Sequence, residues 1–183
     1  MIDKETGRFV LGEGKKVYPG MNLTDFKETV LFEEELMDEK DKTEENEYIY
    51  RLKLQNIDGF KLRVSLIFDF DNFLKYIEIE KSDWRVPEKG PVEEKVGRGN
   101  NFEYEYSVLN YLHKFLAKQL EGSVEDGREL WFDYEWGEIR TVFTPYGATS
   151  SPADIKLVIK YRTRLFKPDD GDNRTLEELM GWE

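Results

Sequence analysis

The strongest constraint in this chain is a run of strict two-residue alternation that begins at Tyr48. Tyr48, Tyr50, Leu52 and Leu54 fall on one side, and Phe60, Leu62, Val64, Leu66 and Phe68 repeat the pattern after a turn signal at Asp58-Gly59. An extended backbone sends successive side chains to opposite faces, so this spacing predicts half-buried strands over 48–55 and 60–68. A third strand is predicted over 73–80. Its alternation is weaker, because Leu74 and Ile77 fall on opposite faces. The polar sides carry Arg51 and Lys53, then Lys61 and Arg63, then Glu78 and Glu80. Opposite charges on one sheet face pair across strands for roughly 0.2–1 kcal/mol each.

A similar plan follows later in the chain. Phe102, Tyr106, Leu109, Leu112, His113, Leu116 and Leu120 form a stripe at helical spacing, with Asn100 and Glu103 as an N-terminal cap pattern and Gly122 suited to the other end. Strands are then predicted over 129–136, 138–144 and 154–162, with Gly137 marking a tight turn. Ahead of the first meander, Asn22 caps a predicted helix over 23–31. Gly12-Glu13-Gly14 implies an opening hairpin between 8–11 and 16–18. The expected organisation is a hairpin, helix and three strands over 1–81, a Gly- and Pro-containing linker over 82–100, a second helix and three strands over 101–163, and a tail over 164–183. That tail contains a short helix over 175–180, capped by Thr175 and Glu178. Each sheet has one apolar and one charged face, which predicts a two-layer α+β fold. The simplest assembly joins the sheets edge to edge, with the helices on one side.

Charge excludes several partners. The 183 residues include 39 acidic and 27 basic side chains, a net charge of −12. Nucleic-acid backbone and anionic membrane both demand clustered cations, so neither is an expected partner. No cysteine is present, which removes thiol nucleophiles, Cys-zinc sites and disulfides. The polar start Met1-Ile2-Asp3-Lys4-Glu5 has no secretory pattern and no apolar run is of spanning length, so a cytoplasmic protein is expected. The apolar and aromatic content, 39% and 14%, predicts a folded chain.

Candidate chemistry is sparse. Residues 33–47 hold nine carboxylates against two lysines. Such a run is ordinarily a solvated loop or frayed helix end. Its functional reading is a docking surface for a basic partner, with Glu33, Glu34, Glu35, Asp38 and Glu39 as its residues and Trp84 and Trp131 as outward aromatic anchors. Asp69-Phe70-Asp71-Asn72 places Asp69 and Asp71 on a turn, where oxygen ligands could hold a divalent cation. The calcium-loop spacing fails there and at 169–173, and Asp and Asn are ordinary turn residues. No metal or cofactor is therefore expected. The only histidine, His113, lies beside an apolar stripe and is expected to be structural. Gly97-Arg98-Gly99-Asn100 before a helix lacks the lysine and preceding strand of a phosphate loop. Paired carboxylates for glycoside cleavage meet in space, so the acidic count does not argue for them. Among the clustered aromatics Trp131, Tyr134, Trp136 and Tyr146, Tyr134 and Trp136 are expected in the core and Trp131 outward.

The tandem pattern over 18–163, opened by Tyr18-Pro19-Gly20-Met21-Asn22-Leu23, resembles the helix-plus-three-strand modules of the β-lactamase inhibitor protein and of the small lipoproteins of outer-membrane assembly. Those proteins are exported, whereas this chain shows no signal peptide, lipid-bearing cysteine or disulfide, so their partners are not carried over. The resemblance implies protein binding in preference to catalysis. The expected function is a non-enzymatic interaction protein of inhibitor or immunity type with an acidic surface and a protein partner, basic in the simplest case. The alternatives are a carboxylate-based or divalent-metal-dependent enzyme, and a small-ligand or carbohydrate binder. The sequence leaves the oligomeric state open.

Overall fold

Both alternating runs enter one eight-stranded antiparallel sheet. The structure, a computed structural model, describes residues 1–40, 47–83, 98–120, 129–144 and 154–162. A hairpin of β1 (Phe9–Gly12) and β2 (Lys15–Val17) leads to two short helices, α1 (Leu23–Lys27) and α2 (Val30–Glu35). The first half of the sheet comprises β3 (Leu36–Lys40), β4 (Tyr48–Leu52), β5 (Gln55–Ile57), β6 (Phe60–Phe68) and β7 (Leu74–Lys81). The long helix α3 (Arg98–Gln119) precedes β8 (Trp131–Tyr134), β9 (Gly137–Thr144) and β10 (Asp154–Tyr161). The strand order is β3-β4-β6-β7-β10-β9-β8, with β5 alongside β4 on the same edge of β6. The two meanders therefore meet at their last strands, where Ile79 opposes Leu157 and Ile77 opposes Ile159.

All three helices pack on one face. Phe26 of α1 lies against Phe68 and Tyr50 at centroid separations of 5.3 and 5.4 Å, and Phe115 of α3 lies 5.5 Å from Phe60. Tyr50 opposes Leu66 in the β4–β6 register, so these rings share a face. Val108, Leu109, Leu112 and Leu116 of α3 join Leu62, Val64, Ile77, Ile139, Leu157 and Ile159 in the same buried cluster. Burying side chains of this size contributes about 1.5–3 kcal/mol each. This is the expected two-layer α+β arrangement, with antiparallel strands under helices.

Several local expectations shift, each for a physical reason. The helix predicted over 23–31 breaks in two because Thr29 caps a new start, its Oγ1 accepting from the Phe32 N–H at 3.2 Å. The acidic residues beyond it are neither loop nor frayed helix up to Lys40. They end α2 and then form β3, paired with β4. The strand predicted over 48–55 stops at Leu52, and β5 starts afresh at Gln55, which leaves Leu54 exposed. A bulge at Lys75 restores the alternation that β7 lacks. Ile67 opposes Tyr76 while Phe68 opposes Leu74, so Leu74 and Ile77 are both buried. The long helix begins at Arg98, ahead of the start expected after Asn100. Trp84, Gly122, Tyr146, the acidic turn 169–173 and the predicted helix 175–180 lie outside the described residues.

The N-terminal segment ties the halves together. Lys15 bridges Glu34 and Glu35 of α2 at 2.8 and 2.6 Å. Trp136 Nε1 donates to the Lys4 carbonyl at 2.8 Å, and the Tyr161 hydroxyl donates to the Gly7 carbonyl at 3.1 Å. Gly7 adopts φ of +70°, a left-handed conformation that favours glycine.

Candidate functional site

No described element lies over the other face of the sheet. The registers align Asp38, Arg51, Ser65, Glu78, Val158, Arg140 and Trp131 as one row crossing from β3 to β8. At about 4.8 Å per inter-strand step, this row spans roughly 29 Å. It runs through alternating charge and ends on Trp131, which is 69% exposed. Ile67 and Val158 are buried on this helix-free face. Their neighbours are long polar residues, Tyr76 and Lys160 beside the first strand pair and Glu78 and Arg140 beside Val158, whose carbon stems can cover them.

Charges at the centre of the face are tightly interlinked. Lys156 Nζ lies 2.7 Å from Glu78 and 3.2 Å from Asp154. Burial lowers the Lys156 pKa, but its hydrogen bond to Glu78 and the charges of Glu78 and Asp154 outweigh that and raise it above the ordinary value. The Glu80 carboxyl is pushed up, first by burial and then by the charge of Glu78, against the pull of Lys156 and Arg63. The folded protein thus binds a proton at Glu80 more tightly than the unfolded chain does. Stability from this group falls as pH rises from the ordinary value of 4.5 through the raised folded pKa. Glu80→Gln is expected to raise the melting temperature at pH 7 and to lose that advantage below the ordinary carboxylate range. Thermal unfolding of both proteins across pH checks this, and an equal or lower melting temperature for the variant at pH 7 would contradict it.

Two depressions mark the face. One, of about 400 Å³, is lined by Met37, Leu54, Arg51, Arg63, Ser65 and Glu80. Met37 and Leu54 are 62% and 57% exposed there. The second, of about 330 Å³, lies across β7, β10 and β9 and includes Tyr76, Glu78, Lys156, Lys160 and Arg140. Near the start of β4, buried Glu47 bonds to Lys75 at 2.5 Å and accepts from the Tyr76 hydroxyl at 3.1 Å.

The residues singled out from sequence are dispersed by the fold. Glu33 is exposed on α2, while Glu34 and Glu35 bind Lys15 of the hairpin. The hydrogen bond from Lys15 outweighs burial and holds the Glu35 carboxyl below its ordinary value. Positions 38 and 39 stand opposite Arg51 and Tyr50 on the outermost strand. Asp38 and Trp131 thus mark the two ends of one cross-sheet row, and Trp84 lies outside the described residues. Asp69 has a turn role: its Oδ1 accepts from the N–H groups of Asp71 and Phe73, each at 3.0 Å. That turn docks on α1 through the Leu23 N–H to the Asn72 carbonyl at 2.7 Å. Among the described residues no three His, Asp or Glu side chains converge as metal ligands. His113 is buried, with Nε2 3.3 Å from Thr141 Oγ1, an oxygen that also accepts from the Leu130 N–H at 2.8 Å. It therefore helps hold α3 to the β8–β9 pair. Sequence reasoning missed the Glu78–Lys156 pair and the role of Glu47. The pair forms only through the β7–β10 adjacency, and Glu47 stands just before the alternating run.

No described helix is long and apolar enough to cross a membrane. Comparison of the chain with protein-family models, curated proteins and solved structures returned no match.

Proposed function

We propose that the protein is a non-enzymatic interaction module of inhibitor or immunity type, and that it meets a protein partner with the open face of its sheet. The observation that carries this reading is the row from Asp38 to Trp131 on the face that no described helix covers, flanked by exposed Met37 and Leu54. Arginine and aromatic side chains dominate the energetics of protein interfaces, and this face presents Arg51, Arg63, Arg140, Tyr76 and Trp131. A standard interface takes about 800 Å² from each partner, and a sheet face roughly 29 Å across can supply that. The platform joins the strands of both halves of the chain, β3–β7 and β8–β10. The net charge of −12 steers a basic partner toward the molecule. The resemblance to inhibitor and assembly-lipoprotein modules implies the same preference.

The test is capture of a partner from source cells by immobilised wild-type protein, followed by affinity measurement with variants. Trp131→Ala with Arg140→Glu is expected to weaken binding by about 2 kcal/mol or more, roughly thirtyfold. Lys114→Glu, on the exposed side of α3, is expected to leave binding unchanged. The reverse pattern would place the interface on the helical layer and sink this reading. The raised Glu80 carboxyl beside Glu78 is the observation that favours a carboxylate enzyme, since a carboxyl that holds its proton suits general-acid work. Glu78 is held by Lys156, however, so the pair is already engaged. Turnover of a glycoside panel that disappears in Glu80→Gln would establish that alternative.

A further inference from the structure

The two edges of the sheet are built differently. β3 carries Asp38, Glu39 and Lys40 and an irregular register beyond Leu36, features that discourage strand addition. β8 closes the other side with Trp131-Phe132-Asp133-Tyr134, and no described residue pairs with its outer edge. Its orientation follows from one hydrogen bond. The Leu130 carbonyl accepts from the Thr141 N–H at 3.0 Å, so Leu130, Phe132 and Tyr134 turn their backbone groups toward β9. Trp131 and Asp133 therefore turn theirs outward.

We propose that this edge pairs antiparallel with the same edge of a second copy of the chain. A twofold axis at Phe132 sets Trp131 of each copy opposite Asp133 of the other, and those are the residues whose N–H and C=O groups point outward. On the helix side, Phe132 then meets Phe132, and Leu130 meets Tyr134. All three are apolar residues only partly buried against the core. On the open face, each Trp131 ring lies beside the Asp133–Arg162 ion pair of the other copy, where the guanidinium can stack on indole. Apolar therefore faces apolar on one side, and a ring faces an ion pair on the other. A second copy supplies this complement automatically, whereas the charged β3 edge would put acidic residues in its place. Pairing would extend the open-face row from one copy into the next. The inference rests on the edge alone and stands whether or not the open face binds a partner.

The chain has no native cysteine, so single-cysteine variants report the register directly. In a non-hydrogen-bonded antiparallel pair the Cα atoms are about 4.5 Å apart, within the range a disulfide spans. Phe132→Cys is expected to form a covalent dimer under mild oxidation. Trp131→Cys, although far more exposed, should cross-link more slowly because it faces position 133. Wild-type protein is expected to double its mass with rising concentration in sedimentation velocity. Asp133→Pro removes an outward N–H at an edge where proline is tolerated, and should abolish the doubling while circular dichroism is retained. A wild-type monomer at every concentration would overturn the proposal, as would faster cross-linking of Trp131→Cys or a folded Asp133→Pro that still dimerises. If Asp133→Pro does not fold, the order of cross-linking decides.

Discussion

Trp136→Ala is expected to destabilise the protein by about 3–5 kcal/mol, the range for truncating a buried Trp or Phe to Ala. The ring is buried, stacks on Tyr134 at 5.0 Å with 6° between planes, and lies 5.9 Å from Tyr161. It also anchors the N-terminal segment through the Lys4 carbonyl. Gly7 sits directly on it: a Cβ there would lie 2.4 Å from Trp136 Cδ2. Gly7→Ala therefore adds strain from positive φ, about 1–2 kcal/mol, to overpacking of about 1–3 kcal/mol. The overpacking part requires the indole. In a double-mutant cycle the combined variant should fall short of the sum of the single losses by roughly 1–3 kcal/mol. Urea unfolding of the four proteins measures this, and strict additivity would show that position 7 does not meet the ring.

The second large effect is expected at Gly137. Its φ is not left-handed, so a side chain there is excluded by space alone. A Cβ at 137 would lie 2.1 Å from the Lys160 carbonyl oxygen and 3.1 Å from the Tyr161 Cα. Those are backbone atoms of β10, opposite Gly137 in the ladder, and cannot rotate away. Gly137→Ala must part β9 from β10 at the hairpin that presents Trp136, where the Arg162 N–H also donates to the Trp136 carbonyl at 3.1 Å. A loss of about 3 kcal/mol is expected, at the upper end for overpacking. Amide exchange should accelerate first along β9 and β10. Unchanged stability and protection would mean that the strands separate there at no cost.

The candidate surface was legible in parts. The outward positions of Arg51, Arg63 and Glu78 follow from period two, because alternation is a local property. Trp131 was correctly read as outward for the same reason. In the acidic stretch, where a solvated loop or frayed helix end is expected, charge masks a short strand. Leu36-Met37-Asp38-Glu39-Lys40 has little apolar alternation, and pairing with β4 is what makes it a strand. Such charge suits an edge. The Lys75 bulge escaped notice because an inserted residue shifts the face of everything before it, which makes a good strand look poor. The Thr29 cap was missed because the apolar stripe Leu23, Phe26 and Val30 runs across the break at helical spacing.

By itself, the sequence determined the class of fold: antiparallel meanders with one apolar face, a long amphipathic α3, and a charged opposite face. Each of these is written in spacing along a few neighbouring residues, and burial of the apolar face under helices follows from solvent exclusion. The tertiary structure decided which strands touch. That β7 meets β10, and so aligns Asp38 with Trp131 across the whole sheet, depends on pairing between segments far apart in the chain. The same holds for the N-terminal segment over Trp136, for the Lys156–Glu78 pair and for the unlike edges at β3 and β8. An outward charge looks the same in sequence whether it faces water, a neighbouring strand or a partner. Only the register assigns it one of these.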